Sequence, residues 1–471
     1  MAVFAGTIYR QNDRRSRSLL DFSVPLSVLV VLLVAEYEGP LLAVLFACAA
    51  PLLAVLVSNR EGGVLAWTPL YWLFAILVLG CVSRIVSGAL GQTVFDVDLQ
   101  RDLAMSVSNI VLFAVGSMGA AGARSYRLLL AAIVAAGTIV SLVHLLRLSV
   151  VLAGGVSDLY QLRLDAGRGS ITQFAALCAC ILLYSTPWMR MRLARRRLLI
   201  ILAICICCSI MLTLSRGLIL LLIILLFAAM GLGFRHADGK MRARGVRIVA
   251  TILALSVAFG ITFFLLAHSS NPTLKTLGES FLSRLRNSGS EISSSDFETK
   301  DQITEDYRAF ELDRAVAQFE EQSPALQWIG QGWGSAVNFG IETASTQSDF
   351  SRTSAAFLHN GYAYFLMKTG FLGLATYLGF IVTLLFRAVS TLGWSGSSED
   401  FGRRRVLLVG ALALAVGTIT TGGLGFPAVY LGLLVLLGVC YPAMRFELLP
   451  EHRPVDRHVS GVEQTQRLKS V

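Results

Sequence analysis

A 37-residue apolar run, Leu198 to Phe234, contains a single charged residue, Arg216, within the polar break Ser215-Arg216-Gly217. As one helix rising about 1.5 Å per residue it would extend roughly 55 Å, well beyond a hydrocarbon core of about 30 Å. The run therefore predicts two membrane helices joined at Ser215-Arg216-Gly217, with a guanidinium held at a membrane face. Which face, and which anion it meets there, are questions for the rest of the chain.

Of the 471 residues, 55% are hydrophobic and 15% are charged, which excludes an ordinary soluble globule and points to a multi-pass helical membrane protein. The net charge of +10 does not indicate nucleic-acid binding, because the basic residues fall in short loops between apolar stretches. All eight cysteines, Cys48, Cys81, Cys178, Cys180, Cys205, Cys207, Cys208 and Cys440, lie in apolar segments. That usage offers neither a disulfide framework nor a Cys/His metal spacing. The arginine-rich start from Arg10 to Arg17 is followed by no small-residue cleavage site, so the first apolar run reads as an uncleaved span.

Hydropathy predicts about twelve transmembrane helices, at 20–36, 40–58, 66–88, 103–122, 127–152, 170–187, 198–214, 217–234, 248–267, 360–386, 406–422 and 426–442. With the N-terminus in the cytoplasm, 26 of the 40 Lys/Arg residues fall on the inner side, whereas the short outer loops hold only Arg101, Arg163, Arg168 and Arg216. This asymmetry sets both termini inside and turns Ser215-Arg216-Gly217 outward. The chain then divides into a cytoplasmic N-terminus (1–19), helices one to nine (20–267), a large periplasmic loop (268–358), helices ten to twelve (359–442) and a cytoplasmic tail (443–471).

The loop from His268 to Leu358 carries seven Lys/Arg and thirteen Asp/Glu, a net charge of −6 against +16 for the rest. Within it, Asp306 to Gln322 predicts a helix with Ala309, Leu312, Val316 and Phe319 on one stripe. A glycine-rich aromatic turn follows at Trp328-Ile-Gly-Gln-Gly-Trp-Gly334. No strand or Rossmann unit surrounds these glycines, so they are a turn and not a nucleotide fingerprint. The loop is expected to lie as a small cap on the outer face.

Three outward elements carry candidate chemistry. They are Arg163 and Arg168 before span six, Arg216 in its turn, and His359-Asn360 where the loop meets span ten. Planar guanidinium donors at a water–lipid boundary suit a lipid-linked phosphate or diphosphate. A histidine beside them can take a proton from a sugar hydroxyl. Arg84, His144 and Arg147 sit near outer helix ends, where they either face the same cavity or meet lipid headgroups. Lys368 lies within span ten, where an ammonium must reach a cavity or snorkel.

These pieces resemble the O-antigen ligase and polymerase family of bacterial membrane glycosyltransferases. The similarity rests on Ser215-Arg216-Gly217 between two spans, on the loop helix followed by Trp328-Ile-Gly-Gln-Gly-Trp-Gly334, and on His359-Asn360 followed by Gly370-Phe-Leu-Gly373-Leu374. It covers roughly residues 150–445. One departure concerns the Asn-Pro or Pro-Asn pair that members often carry just after the arginine preceding span six. Here that stretch reads Gly167-Arg168-Gly-Ser-Ile-Thr-Gln173, which leaves the donor arginine open between Arg163 and Arg168.

The resemblance implies an all-α, GT-C-like integral membrane enzyme of the bacterial inner membrane. It implies metal-independent, cofactor-free transfer from an undecaprenyl-diphosphate-linked oligosaccharide at the periplasmic face. Arg216, with Arg163 or Arg168, would bind the diphosphate, and His359 would deprotonate the acceptor hydroxyl. Asn360 would contact substrate, and Trp328 and Trp333 would offer sugar-stacking faces. The acceptor is either the next lipid-linked repeat unit, as in an exopolysaccharide-type polymerase and the reading preferred here, or lipid A–core, as in a ligase. A transporter or flippase is the reading from another class, and against it stands the lack of repeat halves.

Overall fold

The long helices carry apolar side chains on their outer face as well as in the core, where a few small polar ones are buried too, unlike a bundle stabilised in water. In α2 (Trp67–Ala89) the exposed stripe is Trp67, Tyr71, Phe74, Val78, Val82 and Ile85, while Ser83 and Ser87 are buried. Only a surrounding that solvates hydrocarbon leaves such a stripe without cost. The computed structural model describes residues 23–36, 66–90, 96–119, 123–154, 166, 170–185, 193–213, 215–233, positions within 261–282, 307–343, 352–355, 358–390, 398–425 and 430–441. The expected span at 40–58 and most of that at 248–267 lie outside the described residues, as do Arg163 and Arg168.

The remaining spans each contain a described helix. In chain order these are α1 (Ser23–Glu36), α2, α3 (Asp96–Gly119), α4 (Ala123–Gly154), α5 (Ile171–Ser185), α6 (Leu193–Leu212), α7 (Arg216–Gly233), α10 (Gly361–Ser390), α11 (Ser398–Thr421) and α12 (Leu431–Cys440). Among the described residues, four helices are long and apolar enough to cross a membrane: Trp67–Ala89, Asp98–Gly119, Tyr126–Gly154 and Gly361–Ser390. The 37-residue run does divide, with α6 ending at Leu212 and α7 beginning at Arg216. Packing pairs α4 with α5, α3 with α12, and α10 with both α2 and α11.

The cap adds α8 (Tyr307–Glu320), α9 (Pro324–Ile329) and two short strands, β1 (Val337–Thr343) and β2 (Arg352–Ala355). The strands pair antiparallel, with Val337 opposite Ala355 and Asn338 opposite Ser354. This hairpin departs from the all-helical expectation. Its signal is a two-residue alternation, Val337 and Phe339 buried with Asn338 exposed, too short to stand out beside a glycine-rich turn. The inward face of α8 also differs from the expected stripe. Val316 is exposed, and Phe310, Glu311, Ala315 and Phe319 face the interior.

The glycine-rich turn sutures the cap to the bundle. Gly370, with φ 63°, breaks α10 and frees backbone carbonyls that a continuous helix would use itself. Gln331 and Gly332 donate their N–H groups to Met367 O (2.9 Å) and Lys368 O (2.8 Å). A Cβ on Gly332 would lie 2.3 Å from the Arg84 backbone, and one on Gly370 would lie 2.4 Å from the Trp328 carbonyl. Ser87 Oγ donates to Gln331 O (2.6 Å), and Ser83 Oγ donates to Ile329 O. Trp333 seats its ring against Gly80 and donates Nε1–H to Leu77 O (3.1 Å).

Candidate active site

His359 is fixed by its main chain and its ring together. Its N–H donates to Glu311 Oε2 (2.8 Å), and ring Nδ1 lies 3.1 Å from the same oxygen. Its carbonyl accepts the N–H of Gly422, just past the end of α11. The Tyr307 ring stands edge-on to the imidazole at 6.1 Å. Burial, then the nearby Glu311 carboxylate, pushes the Tyr307 phenol above its usual range, so it stays a neutral hydroxyl at physiological pH. The imidazole itself is partly open, at 30% exposure, beside a carboxylate at 2%. A histidine whose Nδ1–H is donated to a carboxylate has its lone pair on Nε2, the arrangement suited to accepting a proton.

About two helical turns along α10 lies a buried charge cluster. The Lys368 ammonium donates to Asp102 Oδ2 (2.8 Å) and to the Ser335 carbonyl. Tyr364 donates its hydroxyl to Asp102 Oδ1 (3.0 Å), and Gly334 donates its N–H to Asp102 Oδ2 (2.8 Å). Lys368 does not snorkel: it lines a small pocket together with Ser335, Val337, Leu358, Tyr364 and Met367, and an ion pair with α3 satisfies its ammonium. The cluster joins α3, α10 and the cap turn, and it leaves His359 on a braced support.

The expected site residues separate in what the fold does with them. Asn360 accepts the N–H groups of Tyr362 (3.0 Å) and Ala363 (3.2 Å), and so caps α10 at its N-terminus. Trp328 is 58% exposed and packs edge-on to Phe371, whereas Trp333 is 1% exposed and anchors the turn. Such burial removes Trp333 from any sugar-stacking face in this arrangement. Arg216 opens α7, which packs on α11, the helix whose end holds the His359 carbonyl. His144 is buried against Ser209 (2.9 Å) in a layer shared with Gln173 and Ser141.

No local sequence pattern marks Glu311 or Asp102. Hydropathy assigns charged residues to solvent, and their partners lie 48 and 266 residues away along the chain. No local pattern signals pairings of that kind. The one available hint for Asp102 was Lys368 itself, which demanded an anion from some other span.

A helical bundle with an apolar outer stripe, a sutured cap and a carboxylate-held histidine at their seam defines a helical membrane protein. A family model described as O-Antigen ligase matches residues 200–378, a stretch that includes Arg216, the cap, His359 and the Gly370 break. This supports the O-antigen ligase and polymerase family, whose members are membrane glycosyltransferase-like enzymes. No curated protein matches the chain.

Proposed function

We propose that this protein transfers a glycan from an undecaprenyl-diphosphate-linked donor to a hydroxyl acceptor at the periplasmic face of the inner membrane. It does so within a twelve-span, GT-C-like bundle with both termini cytoplasmic. The observation that carries the reading is His359, held through two contacts to one carboxylate at the junction of cap and bundle. In the reaction the acceptor oxygen bonds to the anomeric carbon of the donor. The bond from that carbon to the phosphate oxygen breaks, its electron pair leaving with the diphosphate. The acceptor proton passes to His359 Nε2. Arg216, with Arg163 or Arg168, binds the diphosphate and stabilises the charge that grows on it. The donor bond is already activated, so the chemistry calls for no metal and no side-chain nucleophile.

The acceptor is the next lipid-linked repeat unit, which makes the protein a repeat-unit polymerase. The family model's description as O-antigen ligase favours a second reading, transfer to lipid A–core. The product in a deletion strain separates them. Single unpolymerised units on the carrier lipid mark a polymerase, and long polymer stranded there marks a ligase. For the reaction itself, membranes are given the lipid-linked glycan that accumulates in that strain. His359→Ala should lower transfer by at least about 10²-fold. Arg216→Lys should do likewise despite its retained charge, because the bidentate fork is gone. Added chelator should change nothing. Full activity of either variant would overturn the reading.

A further inference from the structure

We infer that Glu311 is the positioning residue of His359, so that the cap orients the proton-accepting imidazole and is more than a cover. The inference rests on the glycan-transfer reading of His359 and names a second residue for it.

Glu311 differs from its neighbours in the acidic loop. Glu279, Asp313, Glu320 and Glu321 are exposed, as surface acids usually are, whereas Glu311 is 1% exposed on the inward face of α8. A carboxylate in such a place is costly unless fixed donors satisfy it. The donors are the His359 N–H at 2.8 Å and ring Nδ1 at 3.1 Å, both on Oε2. One oxygen therefore ties the ring to its own backbone, which fixes both the orientation of the imidazole and the nitrogen that carries its hydrogen.

The carboxylate is itself held in place. Gln318, two turns along α8, donates to Gln331 Oε1 (3.3 Å) and Ala336 O (3.2 Å) and accepts the Asn338 N–H (2.8 Å). These bonds fasten α8 to the glycine-rich turn and to β1, and the turn is fastened to the break in α10. An unbroken chain of contacts thus runs from the bundle through the cap back to His359. A purely structural role for Glu311 would need only the main-chain bond. The second bond, to the ring, is the feature that serves proton transfer.

The test uses the full chain in native membranes with the lipid-linked glycan accumulated by a deletion strain. Glu311→Ala should lower kcat by roughly 10²-fold while KM for the donor moves by less than about 2-fold, as loss of an oriented base requires. Glu311→Gln should be intermediate, since an amide oxygen still accepts both N–H groups. In an H359A background, E311A should slow the residual rate no further. An equal slowing in both backgrounds, or a fully active E311A beside an inactive H359A, would overturn the inference and leave the transfer reading intact. A fully active H359A would overturn both.

Discussion

An ammonium among apolar helices persists only where something nearby is negative. Lys368 is 3% exposed, and Asp102 on α3 provides the charge, with Tyr364 and Gly334 donating to the same carboxylate and the Arg101 guanidinium 3.7 Å from it. Removing one partner of such a pair costs more than removing both, because the survivor stays buried and unpaired. Asp102→Asn should therefore destabilise the detergent-extracted protein by about 3–5 kcal/mol, read as a fall in thermal midpoint. Asp102→Asn combined with Lys368→Met should recover much of that loss. Equal melting of the single and double variants would mean the pair contributes little. At this scale the sequence exposed the problem, a charged residue within a span, and hid the solution, which came from a helix 266 residues earlier. Glu311 was hidden for a related reason: a periodicity read from apolar residues assigns a glutamate to the outside of its helix.

Among the elements, the decisive one is a broken helix meeting a loop that only glycine can form. Gly330, Gly332 and Gly334 all have φ above 80°, and Gly332 lies against the Arg84 backbone. Gly332→Ala would impose about 1–3 kcal/mol of backbone strain and a Cβ overlap that no flexible side chain can relieve. The turn should then lift from α2, and the cap should become sensitive to protease added to intact spheroplasts. Gly154→Ala, at a position with no atom within 4 Å of the added carbon, is the control and should leave cleavage unchanged. Unaltered resistance in Gly332→Ala would contradict the docking. Much of this level was legible beforehand. The long apolar runs, the break before Arg216 and the helix after residue 306 all show as hydropathy and period. The hairpin and the rotation of α8 did not, because both depend on what the segment packs against.

Across the whole molecule, the membrane supplies the solvent for the outer stripe and the cap closes one end of the bundle. His359 sits at that end, joined to the cap through Glu311 and to α11 through Gly422. Arg216 begins the helix that packs on α11. In the proposed topology α7 descends from the outer face and α11 rises to it, which would set the Arg216 end of α7 and His359 on the same side of the membrane. A carrier's diphosphate and first sugar reach roughly 15 Å by chain-length reasoning. The direct measurement is cross-linking of an R216C/H359C variant in intact spheroplasts, using a membrane-impermeant bis-maleimide of about that span, with the linked peptides read by mass spectrometry. The account predicts a 216–359 link formed from outside the sealed inner membrane. No link, or a link that forms only after the membrane is opened, would contradict it.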